Sequence, residues 1–386
     1  MKKYPSNMQS KLPGSGTTIF TVMSKMAYDH GAIHLSQGYP DFDGPPALIE
    51  RVSWHMQQGR NQYAPLAGVP ELLQQISGKV ADLYGHVADP ASQIAVTPGA
   101  TEAIFCAVTA TVGPGDEVII FDPCYDTYEP CVRLNGGIAR RIPMSYPDFR
   151  PDWQRVREAV NERTRLIMLN TPHNPTGSVW REQDIESLRD VISGSAALLL
   201  SDEVYEHISF DGREHLSILR YPELAERAFC ISSFGKTYHV TGWRIGYCVA
   251  PEKLMREFLR IHQFINFSAN APLQYAIADF LRDCPQHHLE LAEFYQAKRD
   301  LFCRLLEPSR FRLLPSSGTY FQLADYSEIS NEDDTRFAER LTREHKVAAI
   351  PVSVFYENPP LQNIVRFCFA KHDDTLRQAA EYLTAL

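Results

Sequence analysis

The chain has 386 residues, 44% of them hydrophobic, and a formal net charge of −9. This length can form one large and one smaller folded unit, whereas the acidic balance offers no basic surface for nucleic acid. The sequence contains no long apolar run, no signal-like N-terminus and no Cys-x-x-Cys pair among its eight cysteines. We therefore expect a cytoplasmic protein with no membrane partner and no metal site.

The first predicted element is an irregular arm over residues 1–45, which are rich in Gly, Pro, Ser and Thr around one helical stretch at 19–30. From residue 46 onward, apolar β-rich runs alternate with amphipathic helical patterns, which predicts a layered α/β fold. Several runs are continuously apolar, as expected for strands buried on both faces of a parallel sheet. These strands are predicted at 93–96, 117–121, 166–169, 197–200, 228–231 and 245–249.

The C-terminal third has a different character. Long helices are predicted over 253–264 and 274–304, and after Pro308 short strand-like runs alternate with helices. The runs lie at 318–323, 347–351 and 364–369, and the helices at 333–345 and 374–386. We therefore predict three parts: an arm over 1–45 that packs with the small domain, a large α/β domain over 46–280 and a small α+β domain over 281–386.

A lysine in the segment Ser-Ser-Phe-Gly-Lys is the most informative residue of the large domain. Lys236 follows Ser233 by three residues and precedes Arg244 by eight. A lysine amine forms an imine with an aldehyde only when it is unprotonated, and burial or cationic neighbours lower its pKa. Ser233 and Arg244 suit the phosphate of such an aldehyde cofactor. The same pattern also occurs in acyl-transfer enzymes and in solvated surface loops, so these alternatives remain open here.

A second anion site is predicted where the segment Thr-Pro-Gly-Ala-Thr-Glu-Ala follows the strand at 93–96. Gly99 permits a close backbone approach, and the free N–H groups of Ala100 and Thr101 lie where a helix begins. The alternative is an ordinary helix cap formed by Thr101. Neither a P-loop nor a dinucleotide-binding Gly-x-Gly-x-x-Gly pattern occurs.

Polar and aromatic side chains follow the carboxyl ends of several predicted strands, where open α/β sheets bind their ligands. Tyr125 can stack on a planar ring, the amide of Asn174 can donate to a phenolic oxygen, and Asp202 can pair with a protonated ring nitrogen. Tyr205 follows three residues after that carboxylate. The alternatives are a half-buried tyrosine for Tyr125, an ordinary loop for the segment with Asn174 and a helix cap for Asp202.

An arginine in an apolar strand provides the last candidate. Arg366 lies between Val365 and Phe367, and a buried guanidinium requires an anionic partner, for which a bidentate carboxylate has the matching geometry. The alternative is a salt bridge within the chain.

Together these segments resemble the fold-type I pyridoxal-phosphate aminotransferases of class I/II, most closely their methionine and kynurenine aminotransferase branch. The similarity extends from Ser36 to Arg366. It is carried by the segments SQGYPDFDGP, NQYAPLAG, TPHNPTG, SDEVYEH and SSFGKTYHVTGWRIGY.

The resemblance implies that pyridoxal 5′-phosphate is the cofactor. Lys236 would be the Schiff-base lysine and proton shuttle, and Asp202 would pair with the pyridine nitrogen. Tyr205 and Asn174 would bond the 3′ oxygen, and Tyr125 would stack on the ring. The residues expected near the phosphate are Gly99, Ala100, Thr101, Ser233, Arg244 and, from a neighbouring subunit, Tyr63.

The resemblance also implies the substrate site and the assembly. Arg366, the Asn174 amide and the backbone of Gly38 would bind the α-carboxylate of an amino acid, and Tyr39 would form part of the pocket wall with Tyr63, Tyr125 and Phe355. The implied fold is a mostly parallel seven-stranded sheet with a small C-terminal domain, in a homodimer with shared active sites. The reaction would be a ping-pong amino transfer to a 2-oxo acid.

The side chain of the amino acid is predicted to be neutral. Aspartate aminotransferases carry a second arginine for the distal carboxylate some thirty-odd residues beyond the lysine, but residues 261–275 contain none. We expect methionine as the favoured donor, with phenylalanine, histidine, tyrosine and kynurenine as rivals.

Three alternatives to this function remain. A pyridoxal-phosphate C–S β-lyase shares the same residues. A non-catalytic pyridoxal-phosphate sensor would need a DNA-binding extension of about 70–100 residues, and no such basic segment precedes Ser36. A protein without the cofactor would leave Lys236 as a plain loop lysine.

Overall fold

The computed structural model describes residues 10–386. Residues 1–9 of the predicted arm lie outside this range.

The strands of the described chain are β1 (Ile33–His34), β2 (Ile94–Thr97), β3 (Glu117–Asp122), β4 (Ile138–Pro143), β5 (Thr164–Asn170), β6 (Leu198–Asp202), β7 (Ala228–Ser233), β8 (Gly246–Val249), β9 (Arg312–Leu313), β10 (Phe321–Asp325), β11 (Val347–Ala348), β12 (Ile350–Pro351) and β13 (Ile364–Cys368).

The α-helices are α1 (Ile19–His30), α2 (Pro46–Gln57), α3 (Pro70–Tyr84), α4 (Ala100–Thr111), α5 (Tyr128–Leu134), α6 (Trp153–Ala159), α7 (Glu182–Ser193), α8 (Pro222–Ala225), α9 (Phe234–Thr237), α10 (Glu252–Ile265), α11 (Ala271–Asp283), α12 (Gln286–Leu289), α13 (Leu291–Leu306), α14 (Asp334–Glu344) and α15 (Asp373–Thr384). Short 3₁₀ helices span Ile218–Arg220, Thr241–Trp243 and Val352–Phe355.

A seven-stranded sheet in the order β2-β8-β7-β6-β5-β3-β4 forms the centre of the molecule. Its neighbouring strands pair in parallel except at β8, which runs antiparallel to both β2 and β7. The prediction of a mostly parallel seven-stranded sheet flanked by helices is confirmed.

This sheet is buried on both faces. Along β5, Leu166 and Met168 pack into one cluster of buried apolar side chains, and Ile167 and Leu169 pack into another. Because successive side chains of a strand point to opposite faces, each continuous apolar run supplies both clusters. Burial of these runs thus fixes the strands whose carboxyl ends carry the candidate site.

A second, antiparallel sheet has the order β12-β13-β10-β9, and it carries Arg366 at the centre of β13. The short strand β1 pairs in parallel with β11, with Ile33 opposite Val347. This pairing attaches the segment before Ser36 to the C-terminal part of the chain.

Three local predictions need correction. β4 is missing from the predicted strands because it is an edge strand in which exposed and partly buried residues alternate around two arginines. The single helix predicted over 274–304 is wrong: it is divided into α11, α12 and α13, since Pro285 lacks the N–H that a continuous helix needs. The strand predicted at 318–323 begins only at Phe321, because Ser317 and Gly318 donate to the Gly177 carbonyl in a loop.

Within residues 10–386, no helix is both long and apolar enough to cross a membrane.

Candidate active site

The candidate site lies at the carboxyl ends of the parallel strands. Asp202 ends β6, Ser233 ends β7, and Asn174 lies four residues after the end of β5. The N-terminus of α4 faces the same edge of the sheet. Two adjoining cavities of about 110 and 330 Å³ open there. This is the edge at which open α/β sheets bind their ligands.

The fold brings most of the predicted residues together. The first cavity is lined, among the predicted residues, by Ala100, Thr101, Tyr125, Asn174, Asp202, Tyr205, Ser233, Lys236 and Arg244. The second cavity adds Gly38, Tyr39 and Arg366. Tyr63 lies outside both: it is 84% exposed, and its ring meets Phe267 edge-on with 5.4 Å between the ring centres.

The N-terminus of α4 forms the anion end of the first cavity. Gly99 precedes the helix with a φ of 79°, and no side chain caps this helix, so the alternative of a Thr101 cap is wrong. Arg244 lies directly across, with its Nη2 3.4 Å from the Thr101 hydroxyl and its Nη1 3.1 Å from the Thr241 carbonyl. A Cβ atom on Gly99 would come within 2.7 Å of the Arg244 Nη2. Free N–H groups and a guanidinium therefore converge beside Gly99, whose positive φ favours glycine.

The carboxylate of Asp202 is buried at the end of β6. It accepts hydrogen bonds from the Tyr128 hydroxyl at 2.6 Å and from the Val204 N–H at 3.2 Å. Burial raises the pKa of Asp202 to about 6, because the protein interior disfavours its charge. A cation opposite this carboxylate would favour its ionised form, and the carboxylate would in turn favour the cation. The next helical element after Asp202 begins only at Ile218, so a helix cap does not explain this carboxylate.

The amine of Lys236 lies between the two cavities. Lys236 belongs to α9, and its Nζ donates to the Tyr320 hydroxyl at 2.8 Å and to the Gly38 carbonyl at 3.2 Å. Burial lowers the pKa of Lys236 to about 8, and the positive charges of Arg244 and Arg366 act in the same direction. A solvated loop lysine would keep its ordinary pKa, so that alternative does not describe this residue.

Arg366 is 1% exposed and has only neutral partners. Its Nη1 donates to the Asn174 Oδ1 at 2.6 Å, its Nη2 donates to the Ser36 carbonyl at 3.1 Å, and its guanidinium stacks 3.9 Å from the ring centre of Phe321. Within residues 10–386, its Nε has no hydrogen-bond partner and no carboxylate lies within 4.0 Å of it. The alternative of an internal salt bridge is therefore wrong. Burial lowers the pKa of Arg366 to about 10, which still leaves the side chain charged at neutral pH.

Several further residues of the site are missing from the sequence predictions, among them Phe20, Tyr128, Asn170, Tyr320 and Phe321. Asn170 ends β5 as Asp202 ends β6, and it donates to the Asp202 carbonyl at 2.8 Å, so the strand-end rule could have identified it. The others reach the site through contacts between distant segments, for which the sequence contains no local signal.

These residues fit pyridoxal 5′-phosphate. The anion end at Gly99 and Arg244 suits its phosphate, the buried Asp202 suits a protonated ring nitrogen, and the amine of Lys236 suits its aldehyde. The observation that favours a phosphate there is the donor set: N–H groups of a helix N-terminus with no capping side chain face the Arg244 guanidinium across Gly99, whose φ of 79° favours glycine.

Comparison with known proteins gives the same result. The family model for class I and II aminotransferases matches residues 30–383. Over 386 residues, the chain is 52% identical to the methionine aminotransferase of Escherichia coli strain K12, and the match covers all of both proteins. It is 36% identical to a probable N-succinyldiaminopimelate aminotransferase of Mycobacterium tuberculosis, with 98% of each covered. The crystal structure of Escherichia coli YbdL, for which a methionine aminotransferase function has been identified, superposes with a TM-score of 0.97 at 52% identity, and the match covers 99% of this chain and 100% of that one.

The family match spans both sheets and every residue of the two cavities except Phe20. The full-length identity adds the first helix and Phe20 to the similarity. The fold, the cavity and the comparisons therefore agree, and the chain belongs to the class I and II aminotransferases and uses pyridoxal 5′-phosphate.

Proposed function

We propose that this aminotransferase takes the α-amino group of a neutral apolar or aromatic L-amino acid, with methionine favoured, and passes it to a 2-oxo acid. The observation that carries the proposal is the charge of the second cavity. Within the described chain its cations are Lys236, Arg244 and Arg366, each of which has another role in the proposal, so this chain supplies no further cation to its own cavity for a distal carboxylate. The 52% identity to a methionine aminotransferase supports methionine as the first candidate.

The proposed cofactor contacts follow from the first cavity. The N–H groups of Ala100 and Thr101, the Ser233 hydroxyl and the Arg244 guanidinium would hold the phosphate. Tyr125 would cover one face of the ring, and the Asn174 amide and the Tyr205 hydroxyl would donate to the ring oxygen. Burial raises the pKa of Tyr205 far above the physiological range, so its hydroxyl keeps the proton that it would donate. When bound, the cofactor supplies an electron sink for the α-carbon of the substrate.

Asp202 would keep a proton on the ring nitrogen of the cofactor. Its buried carboxylate accepts hydrogen bonds from two neutral donors, Tyr128 and Val204, and within residues 10–386 no cation lies within 4.0 Å of it. A protonated ring nitrogen would supply this cation, and each charge would stabilise the other.

Lys236 would provide the amine that moves the proton from the α-carbon. With a pKa of about 8, about a tenth of this amine is unprotonated at pH 7, compared with roughly one molecule in 2,500 for an exposed lysine. Burial of Lys236 thus raises the fraction of its amine that is available as a base. Its position between the two cavities allows it to face both the cofactor and the substrate.

The α-carboxylate of the substrate would bind to Arg366. Arg366, whose buried Nε has no hydrogen-bond partner in the described chain, lines a cavity that Gly38 and Asn174 also line. Asn174 accepts from Arg366 through Oδ1, which leaves its NH₂ group free to donate. A carboxylate would therefore satisfy a buried guanidinium that otherwise has only neutral partners.

The substrate side chain would lie against apolar and aromatic groups. Phe20 of α1, Tyr39, Tyr125 and Phe321 line the second cavity, and Phe355 lies behind Phe20 with 6.0 Å between ring centres. Methionine suits such walls because its thioether is polarisable and flexible. A distal carboxylate would lose its hydration there without gaining a counter-ion.

The donor preference is testable with a panel of amino acids at a fixed 2-oxo acid concentration. We expect the kcat/KM for methionine to exceed that for aspartate by at least about 100-fold, since aspartate would bury an unpaired charge. Phenylalanine, histidine, tyrosine and kynurenine should rank between these two. Aspartate or N-succinyldiaminopimelate as the fastest donor would contradict the proposal. Release of pyruvate and ammonia from cystathionine without a 2-oxo acid, with no transfer from methionine, would favour the C–S β-lyase.

We also propose that the protein is a homodimer in which Tyr63 reaches the phosphate of the partner's cofactor. Tyr63 and Phe264 are 84% and 85% exposed, and Phe267, which contacts Tyr63, is 49% exposed. Such a group of exposed aromatic residues is typical of an interface. Sedimentation analysis should give twice the mass of one chain, whereas a stable and fully active monomer would contradict this assembly.

The arrangement into an arm (1–45), a large domain (46–280) and a small domain (281–386) remains our proposal, supported by the two separate sheets and by the pairing of β1 with β11.

A cytoplasmic location is likewise proposed. It is supported by the eight cysteines, all of which are free thiols, and cell fractionation tests it.

A further inference from the structure

Tyr320 contacts the amine of Lys236 from the side of the second sheet. It follows the loop at Gly318 and directly precedes β10, and it is 0% exposed. Its hydroxyl oxygen lies 2.8 Å from the Lys236 Nζ and 2.7 Å from the Gly38 carbonyl oxygen. It thus links the lysine to the loop that carries Gly38, although these residues are far apart in the sequence.

The direction of these hydrogen bonds can be assigned. Burial and the neighbouring Tyr205 raise the pKa of Tyr320 well above 10, so the phenol keeps its proton. A carbonyl oxygen can only accept, so the Tyr320 hydroxyl donates to Gly38. Its oxygen then accepts from the amine of Lys236, which also donates to the Gly38 carbonyl at 3.2 Å. The amine therefore donates to two oxygen atoms, and these two oxygens are themselves linked by the hydrogen bond from Tyr320 to Gly38.

The ring of Tyr320 is itself held in place. It packs edge-on against Tyr205 with 5.2 Å between ring centres, and it lies 5.6 Å from the ring of Tyr295 and 5.0 Å from that of Phe321. Close packing on several sides restricts the rotation of a buried ring. The hydroxyl is consequently a fixed point, whereas the four-carbon stem of a lysine is flexible.

We propose that Tyr320 is a positioning residue that holds the free amine of Lys236, together with the Gly38 carbonyl, whenever that amine is not bonded to the cofactor. The inference rests on the proposed role of Lys236. A base that carries a proton must return to the same place in each cycle, and a displacement of about 1 Å can lower a rate about 100-fold. The two oxygens restrict the amine to the cavity edge from which it faces the substrate.

The amine has several charged or titratable neighbours, which bear on any measurement of its protonation. These are Asp202 at the end of β6, Tyr205 after it, Arg244 before β8, Arg366 and Cys368 in β13, and Tyr320 itself. Of these, only Tyr320 accepts a hydrogen bond from the amine through its side chain.

The test compares Tyr320→Phe with Tyr295→Phe. The control removes an equally buried tyrosine hydroxyl, which bonds the His239 Nδ1 at 2.9 Å and does not touch Lys236. In the full-length protein freed of cofactor, the pKa of Lys236 is measured by competitive acetylation with acetic anhydride across pH, read by mass spectrometry of the Lys236 peptide. Thermal melting of each variant verifies that it is folded.

We expect Tyr320→Phe to lower the pKa of Lys236 by about one unit, because the charged amine loses an acceptor that stabilises it. In the cofactor-loaded enzyme, kcat with methionine should fall about 10- to 100-fold, while KM should change less than about threefold because Arg366 is untouched. Tyr295→Phe should leave both values near those of the wild type.

The inference is overturned if Tyr320→Phe matches Tyr295→Phe in both the pKa of Lys236 and kcat, or if the pKa falls while kcat is unchanged. Such a result leaves the proposed function intact as long as the wild type transaminates methionine and Lys236→Ala does not. If Lys236→Ala retains activity, the proposed function itself fails, and the two failures are therefore distinguishable.

Discussion

Replacing Lys236 with alanine should lower kcat for methionine transamination by about 10³-fold or more. The substitution removes the amine for which burial lowers the pKa to about 8, and positioned acid–base groups contribute about 10²- to 10⁴-fold to rates. It also removes the attachment point for the cofactor. The loss should appear in kcat at saturating methionine, because the groups proposed to bind the carboxylate, Arg366 and Asn174, remain in place.

The matched control is Lys253→Ala, which removes an exposed lysine of α10 and should leave kcat unchanged within about twofold. Added small amines such as methylamine should restore part of the activity of Lys236→Ala if the missing group is a base. Retention of more than about a tenth of the wild-type kcat by Lys236→Ala would contradict the role proposed for this lysine.

Replacing Arg366 with lysine should lower kcat/KM for methionine by about 10²- to 10³-fold. Lysine keeps the charge but loses the planar fork that donates to Asn174 and Ser36 and would bind a carboxylate at two points. Loss of one partner from a buried, hydrogen-bonded charge pair costs about 2–5 kcal/mol of binding free energy, and the expected 10²- to 10³-fold loss in kcat/KM lies within that cost. The exposed Arg336→Lys in α14 is the control, and it should have little effect on kcat/KM.

A substrate without the carboxylate makes this prediction specific. The wild type should prefer methionine over 3-(methylthio)propylamine, the corresponding amine without a carboxylate, by a large factor. Arg366→Lys should reduce that preference because it weakens only the carboxylate contact. If Arg366→Lys lowers the rates with both compounds equally, Arg366 maintains the fold of the cavity and does not recognise the carboxylate.

The sheet could be predicted largely because its strands are buried on both faces. The run at 166–169 lies within β5, where alternate residues fill opposite apolar clusters, so hydrophobicity alone marks it. β4 lacks a continuous apolar run, because it is an edge strand with two arginines in which exposed and partly buried residues alternate. Its sequence therefore resembles that of a polar loop. The division of the helix at Pro285 could have been predicted, because a proline rarely continues a helix.

The candidate site could be predicted where its chemistry is local. Asp202 is a carboxylate that directly follows an apolar strand, and Asn174 lies in a loop at a strand end, so the sequence alone indicates a ligand at both positions. The sequence also predicts that Arg366, in an apolar strand, needs an anion. Only the folded structure shows that no carboxylate of residues 10–386 is that anion.

The rest of the site depends on contacts between distant segments. Phe20 approaches the cavity from α1, Tyr128 reaches Asp202 from α5, and Tyr320 reaches Lys236 from the segment before β10. Aromatic residues at such positions usually serve only packing, and nothing in their neighbours distinguishes these three. Their roles become visible only in the folded chain, where these segments meet at the two adjoining cavities.

The most direct test of the role of Lys236 is a single half-turnover of the cofactor-loaded enzyme with methionine and no 2-oxo acid, followed by absorbance and by analysis of the released product. We predict that the wild type converts its bound cofactor from the aldehyde to the amine form and releases one equivalent of 2-oxo acid for each Lys236. The Lys236→Ala variant should convert none of its cofactor on the same timescale. Conversion at an equal rate in Lys236→Ala, or no conversion in the wild type, would contradict the central role of Lys236.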